Sequence, residues 1–268
     1  MSRGIVFVIA IGSLSSAVAA PAVALDLYDG ALNTTPNAQG WLAYGSADFQ
    51  NYASTSGGQT QLDTSSASGL QAGFSNHTIF GTIVNGAFPT LDRTTGFVLS
   101  FRVKLTSETH DTPNRAGFSV IAVGSDKKGI ELGFWADQVF AQDDAPSIFT
   151  KDESALFNTT ADYVDYDLLV GASTYDLKAN GAPLLSGNVR DYAAFVPPFP
   201  APDPYETPNY IFLGDDTTSA RGNASIARVS VAVPEPGCVG MVGVIGLLTA
   251  RRDRRLRLRG SESAAHAE

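Results

Sequence analysis

Hydrophobic and polar positions alternate along much of the chain with a period of two. In residues 97–105, Phe97, Leu99, Phe101, Val103 and Leu105 share one side of an extended segment, while Ser100, Arg102 and Lys104 point away. That pattern predicts a half-buried antiparallel strand. Further runs rich in β-branched and aromatic residues follow at 117–123, 129–135 and 138–142, with a tight turn at Ala136-Asp137. Residues 165–170 and 174–179 predict another pair. Asn180-Gly181 then supplies a type I′ hairpin signal before Pro183-Leu184-Leu185. In residues 224–231, Ile226 is out of step with Val229 and Val231, which predicts a β-bulge. No long stretch between Leu25 and Ala232 keeps a 3.6 period. Some 10 to 13 strands separated by turn residues predict an all-β, antiparallel β-sandwich forming one domain over 25–232.

Two stretches fit the alternation less well. Residues 45–75 are rich in Ser, Thr, Gly and Gln and predict a loosely packed edge or a long loop. Residues 197–204 carry five prolines and predict an extended crossing segment. Its aromatics, Phe195, Phe199 and Tyr205, predict that it lies on the sandwich. Phe134 and Trp135 are adjacent, so one of the two must leave the core.

Composition and charge then separate the body from the ends. The 268 residues hold 18 Lys plus Arg against 27 Asp plus Glu, for a net charge of -9. From Leu25 to Pro236 the charge is -13, and from Gly237 to Glu268 it is +3. An acidic body argues against nucleic acid as a partner. One cysteine, Cys238, excludes an internal disulfide. The start has Arg3, an apolar stretch from Gly4 to Gly12 and small residues at Ala22 and Ala24. These are the parts of a secretory signal over 1–24, with signal peptidase cutting after Ala24. Near the other end, Pro234-Glu235-Pro236 precedes a glycine-rich apolar run over 237–250, short of the ~20 residues of a comfortable helical span. Arg251, Arg252, Arg254 and Arg255 follow and would hold that end on the cytoplasmic side.

This tail resembles the PEP-CTERM sorting signal, over 233–255, with a polar tail at 256–268. The resemblance implies processing by an exosortase near Pro234-Glu235-Pro236 and transient contact with an inner membrane. It also implies a destination in the envelope or extracellular matrix of a Gram-negative-type bacterium, often a biofilm former. The body resembles the concanavalin A-like, laminin-G-type jelly roll, including the choice-of-anchor domains that carry such tails. The residues behind this are the alternating strand at 97–105, Gly129-Ile130-Glu131-Leu132-Gly133-Phe134-Trp135, the Tyr166–Gly181 hairpin and Ile211–Thr217. That resemblance implies two curved antiparallel sheets. It does not fix a function, because members include glycan binders, glycan-cleaving enzymes and structural modules.

Candidate chemistry is sparse. A retaining glycosidase on this fold needs two close carboxylates, and no Glu-x-Asp-x-x-Glu string occurs. Glu131 is the one acid inside a strongly apolar strand. Asp143, Asp144, Asp215 and Asp216 are the best candidates for a structural calcium ion, since oxygen-rich loops supply its ligands; solvated turns explain the same pairs. No other cofactor is expected. His77 and His110 read as surface residues. Trp41, Trp135 and Tyr210 are the leading candidates to stack on a polysaccharide, with Tyr44, Tyr163 and Tyr192 behind them. The reading is therefore an exported, non-catalytic jelly-roll module, adhesive or glycan-binding. A carbohydrate-active hydrolase and a purely structural module are the rivals.

Overall fold

The computed structural model describes residues 22–45, 52–66, 69–197 and 203–234. Among them, fifteen strands form two antiparallel sheets. In chain order these are β1 (Ala22–Asp29), β2 (Leu42–Gly45), β3 (Ala53–Thr55), β4 (Thr60–Asp63), β5 (Ala72–Ser75), β6 (Phe97–His110), β7 (Ser119–Val123) and β8 (Gly129–Phe134). They continue as β9 (Gln138–Gln142), β10 (Lys151–Leu156), β11 (Val164–Val170), β12 (Thr174–Ala179), β13 (Ala182–Asn188), β14 (Ile211–Asp215) and β15 (Ala220–Pro234). The first sheet runs β13-β12-β11-β6-β15-β4-β3, with β1 also paired to β15. The second runs β10-β9-β8-β7-β14-β5-β2. The layered antiparallel architecture is that of a jelly-roll sandwich.

Local chemistry explains the first sheet. The odd-numbered residues of β6 from Phe97 to Leu105 are buried and the even-numbered ones half-buried, as the alternation requires. β11 and β12 bury Tyr166, Leu168 and Val170 against Tyr175, Leu177 and Ala179. The turn into β13 has Asn180 at φ 49° and Gly181 at φ 78°, the two positive angles of a type I′ turn. β15 slips register against β6 twice, once between Ile226 and Arg228, so the expected bulge is present. Rings fill the space between the sheets: Phe101 stacks on Tyr166 at 5.2 Å, and Phe134 meets both edge-on.

Two expectations are corrected here. Residues 45–75 are no loose edge where they are described. β4 pairs with β15 and β5 pairs with β14, and all four residues of β5 are buried. Leu62 and Phe74 anchor these strands in the core; they are too short for a period to show among Ser, Thr and Gly. Trp41 is a core residue and not a surface platform. It is 3% exposed, meets Phe88 edge-on at 5.0 Å and donates its indole N–H to the Leu27 carbonyl at 2.8 Å.

β1 begins at Ala22, ahead of the expected cut after Ala24, and pairs Ala22 with Pro234, the last residue of β15. The rest of the signal segment and of the sorting signal, including Glu235, Pro236, Cys238, Arg251, Arg252, Arg254 and Arg255, lies outside the described residues, as does Phe199. Among the described residues, no helix is long and apolar enough to cross a membrane.

Candidate functional site: a cavity on the outer face of the second sheet

Successive residues of a strand face opposite ways, and the second sheet uses both faces. Val120 and Ala122 of β7 and Ile211 and Leu213 of β14 enter the core between the sheets. Ile121, Val123 and Phe212 turn outward and form a second apolar cluster with Tyr192 and Tyr205. Segments 143–149, 189–197 and 203–210 bring Phe149, Phe195 and Tyr210 against it. Next to this cover lies a cavity of about 410 Å³. Leu42 and Tyr44 of β2, Ser75 of β5, Ile121 and Phe212 form its floor. The Phe212 ring occupies the space above Gly73, where a Cβ would come within 2.4 Å of it. His77, Thr78 and Ile79 also line it, as do Phe149, Phe195, Tyr205, Thr207 and Tyr210. Arg115, Asp216, Thr217 and Thr218 supply most of the remaining polar lining.

Beneath the cavity sits an ionic cluster. Glu131 of β8 has no exposed surface. Arg115 approaches Glu131 Oε1 at 3.3 Å and donates to Asp216 Oδ2 at 3.0 Å. Its guanidinium lies over the Phe149 ring, 4.9 Å from the centroid. The Tyr205 hydroxyl donates to Glu131 Oε2, and the Tyr192 hydroxyl accepts from the Glu131 amide at 3.1 Å. The two rings lie 4.8 Å apart. Burial, followed by the charge of Asp216, pushes the Glu131 pKa up to about 8, with Arg115 opposing. Burial opposes the charge on Arg115, but Asp216 and Glu131 outweigh it and raise its pKa. The cluster thus holds one guanidinium between two carboxyl groups, one lining the cavity and one sealed from solvent.

His77 adds an oriented ring. Asn76 donates through Nδ2 to the Asn209 carbonyl and accepts at Oδ1 from the Ile211 amide. Those two bonds fix which end of the amide is oxygen. The same Oδ1 is 2.8 Å from His77 Nδ1, so Nδ1 carries the proton and donates. Burial lowers the His77 pKa, which keeps the ring neutral and makes Nε2 its acceptor. The ring lies 5.9 Å from that of Tyr210.

The sequence candidates land in different places. Tyr210 and Tyr44 line the cavity. Trp135 is half-buried, as its neighbour Phe134 fills the core, but its faces are occupied: His110 stacks on it at 3.8 Å and Lys151 Nζ lies 3.9 Å from the ring centre. His77 is buried and not a surface residue. The four aspartates are not gathered into one donor set. Asp215 turns inward, accepting from Thr64 Oγ1 at 2.6 Å and the Thr217 amide at 3.1 Å, while Asp216 lines the cavity. Asp143 lies 3.2 Å from Arg190 Nε, and Asp144 accepts from the Asp191 amide. Among the described residues no group of three or more His, Cys, Asp or Glu is placed to hold a metal ion. Arg115 escaped the sequence reading. The signal for it was Glu131, because an acid in an apolar strand needs a cationic or donor partner.

No protein-family model and no curated protein matches the chain. Among solved structures, the chain is similar to a carbohydrate esterase from the Shiga toxin-encoding bacteriophage phi24B. That match has 12% identity and a TM-score of 0.53, and covers 80% of this chain and all of that one. A protein of unknown function with a galectin-like fold from Bacillus subtilis matches at 11% identity and TM-score 0.45, covering 78% and 97%. Alginate lyase A1-II′, of polysaccharide lyase family 7, matches at 13% and 0.44, covering 80% and 95%. At such identities the likeness is one of fold alone.

Proposed function

We propose that this protein is an exported, non-catalytic glycan-binding module whose binding site is the cavity on the outer face of the second sheet. The observation that carries the reading is the lining. Rings of Tyr44, Tyr210, Phe149 and Phe195 stand beside His77, Asp216 and several threonines. Sugars present apolar C–H faces to rings and hydroxyls to polar groups, so they match such a mixture. The fold shared with a carbohydrate esterase is compatible with it. The lack of catalysis rests on access: Asp216 is the one carboxylate among the described lining residues, and Glu131 is sealed below it. The two-carboxylate hydrolysis of a glycosidic bond needs both acids at the sugar. Export through signal peptidase, sorting through an exosortase and a place in the envelope of a Gram-negative-type bacterium rest on the resemblance of the two ends.

The test is a glycan array probed with the full chain in mild detergent, with and without EDTA. Binding that EDTA leaves intact and Tyr210→Ala weakens about tenfold supports the site without a metal; silence in both conditions removes the reading. N-terminal sequencing of the native protein from envelope fractions tests export, with Leu25 expected as the first residue. A second reading, a carbohydrate-active enzyme, is favoured by one observation: a neutral His77, oriented by Asn76, lining the cavity beside Tyr210. New chain ends released from a bound polysaccharide, and lost in His77→Asn, would establish it.

A further inference from the structure

Resting on the glycan-binding reading, the charges of the cavity go further than the general class of ligand. Arg115 is the one permanent cation among the described lining residues. Its Nη2 donates to Asp216 at 3.0 Å, and its Nη1, buried, lies 3.3 Å from Glu131 without a hydrogen bond. The interior stretches outside the described residues, 46–51, 67–68 and 198–202, contain no Lys or Arg, and one of them adds Asp48. Lys127, near the covering segment, is paired with Glu206 at 2.8 Å. His77 donates its Nδ1 proton to Asn76 and presents Nε2 as an acceptor. The body around the cavity carries -13.

We propose that the cavity selects uncharged saccharides and rejects those bearing carboxylates or sulfates. An incoming carboxylate could reach Arg115 only by sitting beside Asp216, leaving two anions to share one half-buried cation. Its desolvation would then go uncompensated. The acidic surface also lowers the local concentration of anionic chains before contact. A neutral sugar meets no such opposition. Its hydroxyls can donate to His77 Nε2 and to the Asp216 carboxylate, and its C–H face can rest on Tyr210 or Tyr44. Asp216 is thus the specificity-determining residue. It locks Arg115 and supplies the negative charge that an anionic ligand would have to face.

The experiment is a matched array. The full chain is presented with neutral backbones and with their uronate or sulfated counterparts at the same linkage, alongside the isosteric Asp216→Asn. The neutral members should bind at least about tenfold more tightly, with affinity unchanged between low and high salt because no ion pair forms. Asp216→Asn should narrow the gap by strengthening the anionic members. Tighter wild-type binding of anionic members, or an Asp216→Asn array with the gap untouched, overturns the inference while glycan binding itself stands. If Asp216→Asn does not fold, the wild-type comparison of matched pairs still decides. An array silent for both kinds removes the glycan reading and this inference together.

Discussion

Two arginines, one buried and one half-buried, hold clusters of acids, and they do different things. Arg190, 6% exposed, donates through Nη2 to Asp152 and Glu153 at 2.7 Å and through Nη1 to the Asn188 carbonyl, with Asp143 at 3.2 Å from Nε. Its backbone bridges to Gly129 at the start of β8. It ties β8, β10 and the end of β13 together, and its acids are partly exposed. Arg115 also faces two acids, but one has no exposed surface, the other lines a cavity, and the pair with Glu131 lacks hydrogen-bond alignment. The same residue types make a clamp that ties three strands together in one place and an ion pair that lines a cavity in the other. Surroundings assign the role, not composition.

The largest expected effect separates the two arginines by stability. Arg190→Ala leaves three partly exposed carboxylates without their cation and should cost about 3 kcal/mol in chemical or thermal unfolding. The folded fraction should keep its glycan affinity. Trp41→Ala should cost a similar ~3–5 kcal/mol, since it removes a core ring and a buried N–H bond. An unchanged melting temperature in either would contradict its assignment to the scaffold.

The next effect is pH dependence. Glu131 and Asp215 both have folded-state pKa values raised to about 8, from unfolded values of 4.5 and 3.8, with burial as the leading cause. Each keeps its proton in the fold at pH values where the unfolded chain has lost it. That stability is complete below the unfolded pKa and is lost as pH rises toward about 8. Melting temperature should therefore fall between pH 5 and pH 8. Glu131→Gln and Asp215→Asn should each flatten the slope by an amount on the order of 2 kcal/mol. A slope unaltered in both variants would mean that these acids are ionised in the fold.

Smaller still is the binding effect of one ring. Tyr210→Ala should weaken glycan affinity about tenfold, or ~1.4 kcal/mol, while titration calorimetry on Trp41→Phe shows no loss. Least of all, Lys127→Ala removes an exposed pair with Glu206 and should change stability by less than about 1 kcal/mol.

How far the sequence could be read follows from which physics is local. The β6 alternation and the Asn180-Gly181 turn are properties of neighbouring residues, so they stood out. Glu131 was visible as an anomaly, but its partner was not: Arg115 lies in a loop, one of several cations without a distinguishing neighbour. His77 looked like an exposed residue near threonines because its burial comes from Tyr210 and β14, over 130 positions away. The strands within 45–75 were hidden because three- and four-residue strands carry too few apolar positions to show a period. Trp41 and Tyr210 were indistinguishable as candidates, since the face a ring occupies depends on strand pairing and not on the ring.

The most direct measurement of the central claim is hydrogen exchange of the full chain with and without the best array ligand. The account predicts slowed exchange at the segments that line the cavity, foremost 42–44, 71–79 and 204–218 and also around Arg115, Phe149 and Phe195, with none at 151–156 and 186–190 around Arg190. Protection around Arg190, or none at either place while the ligand is bound, would contradict it.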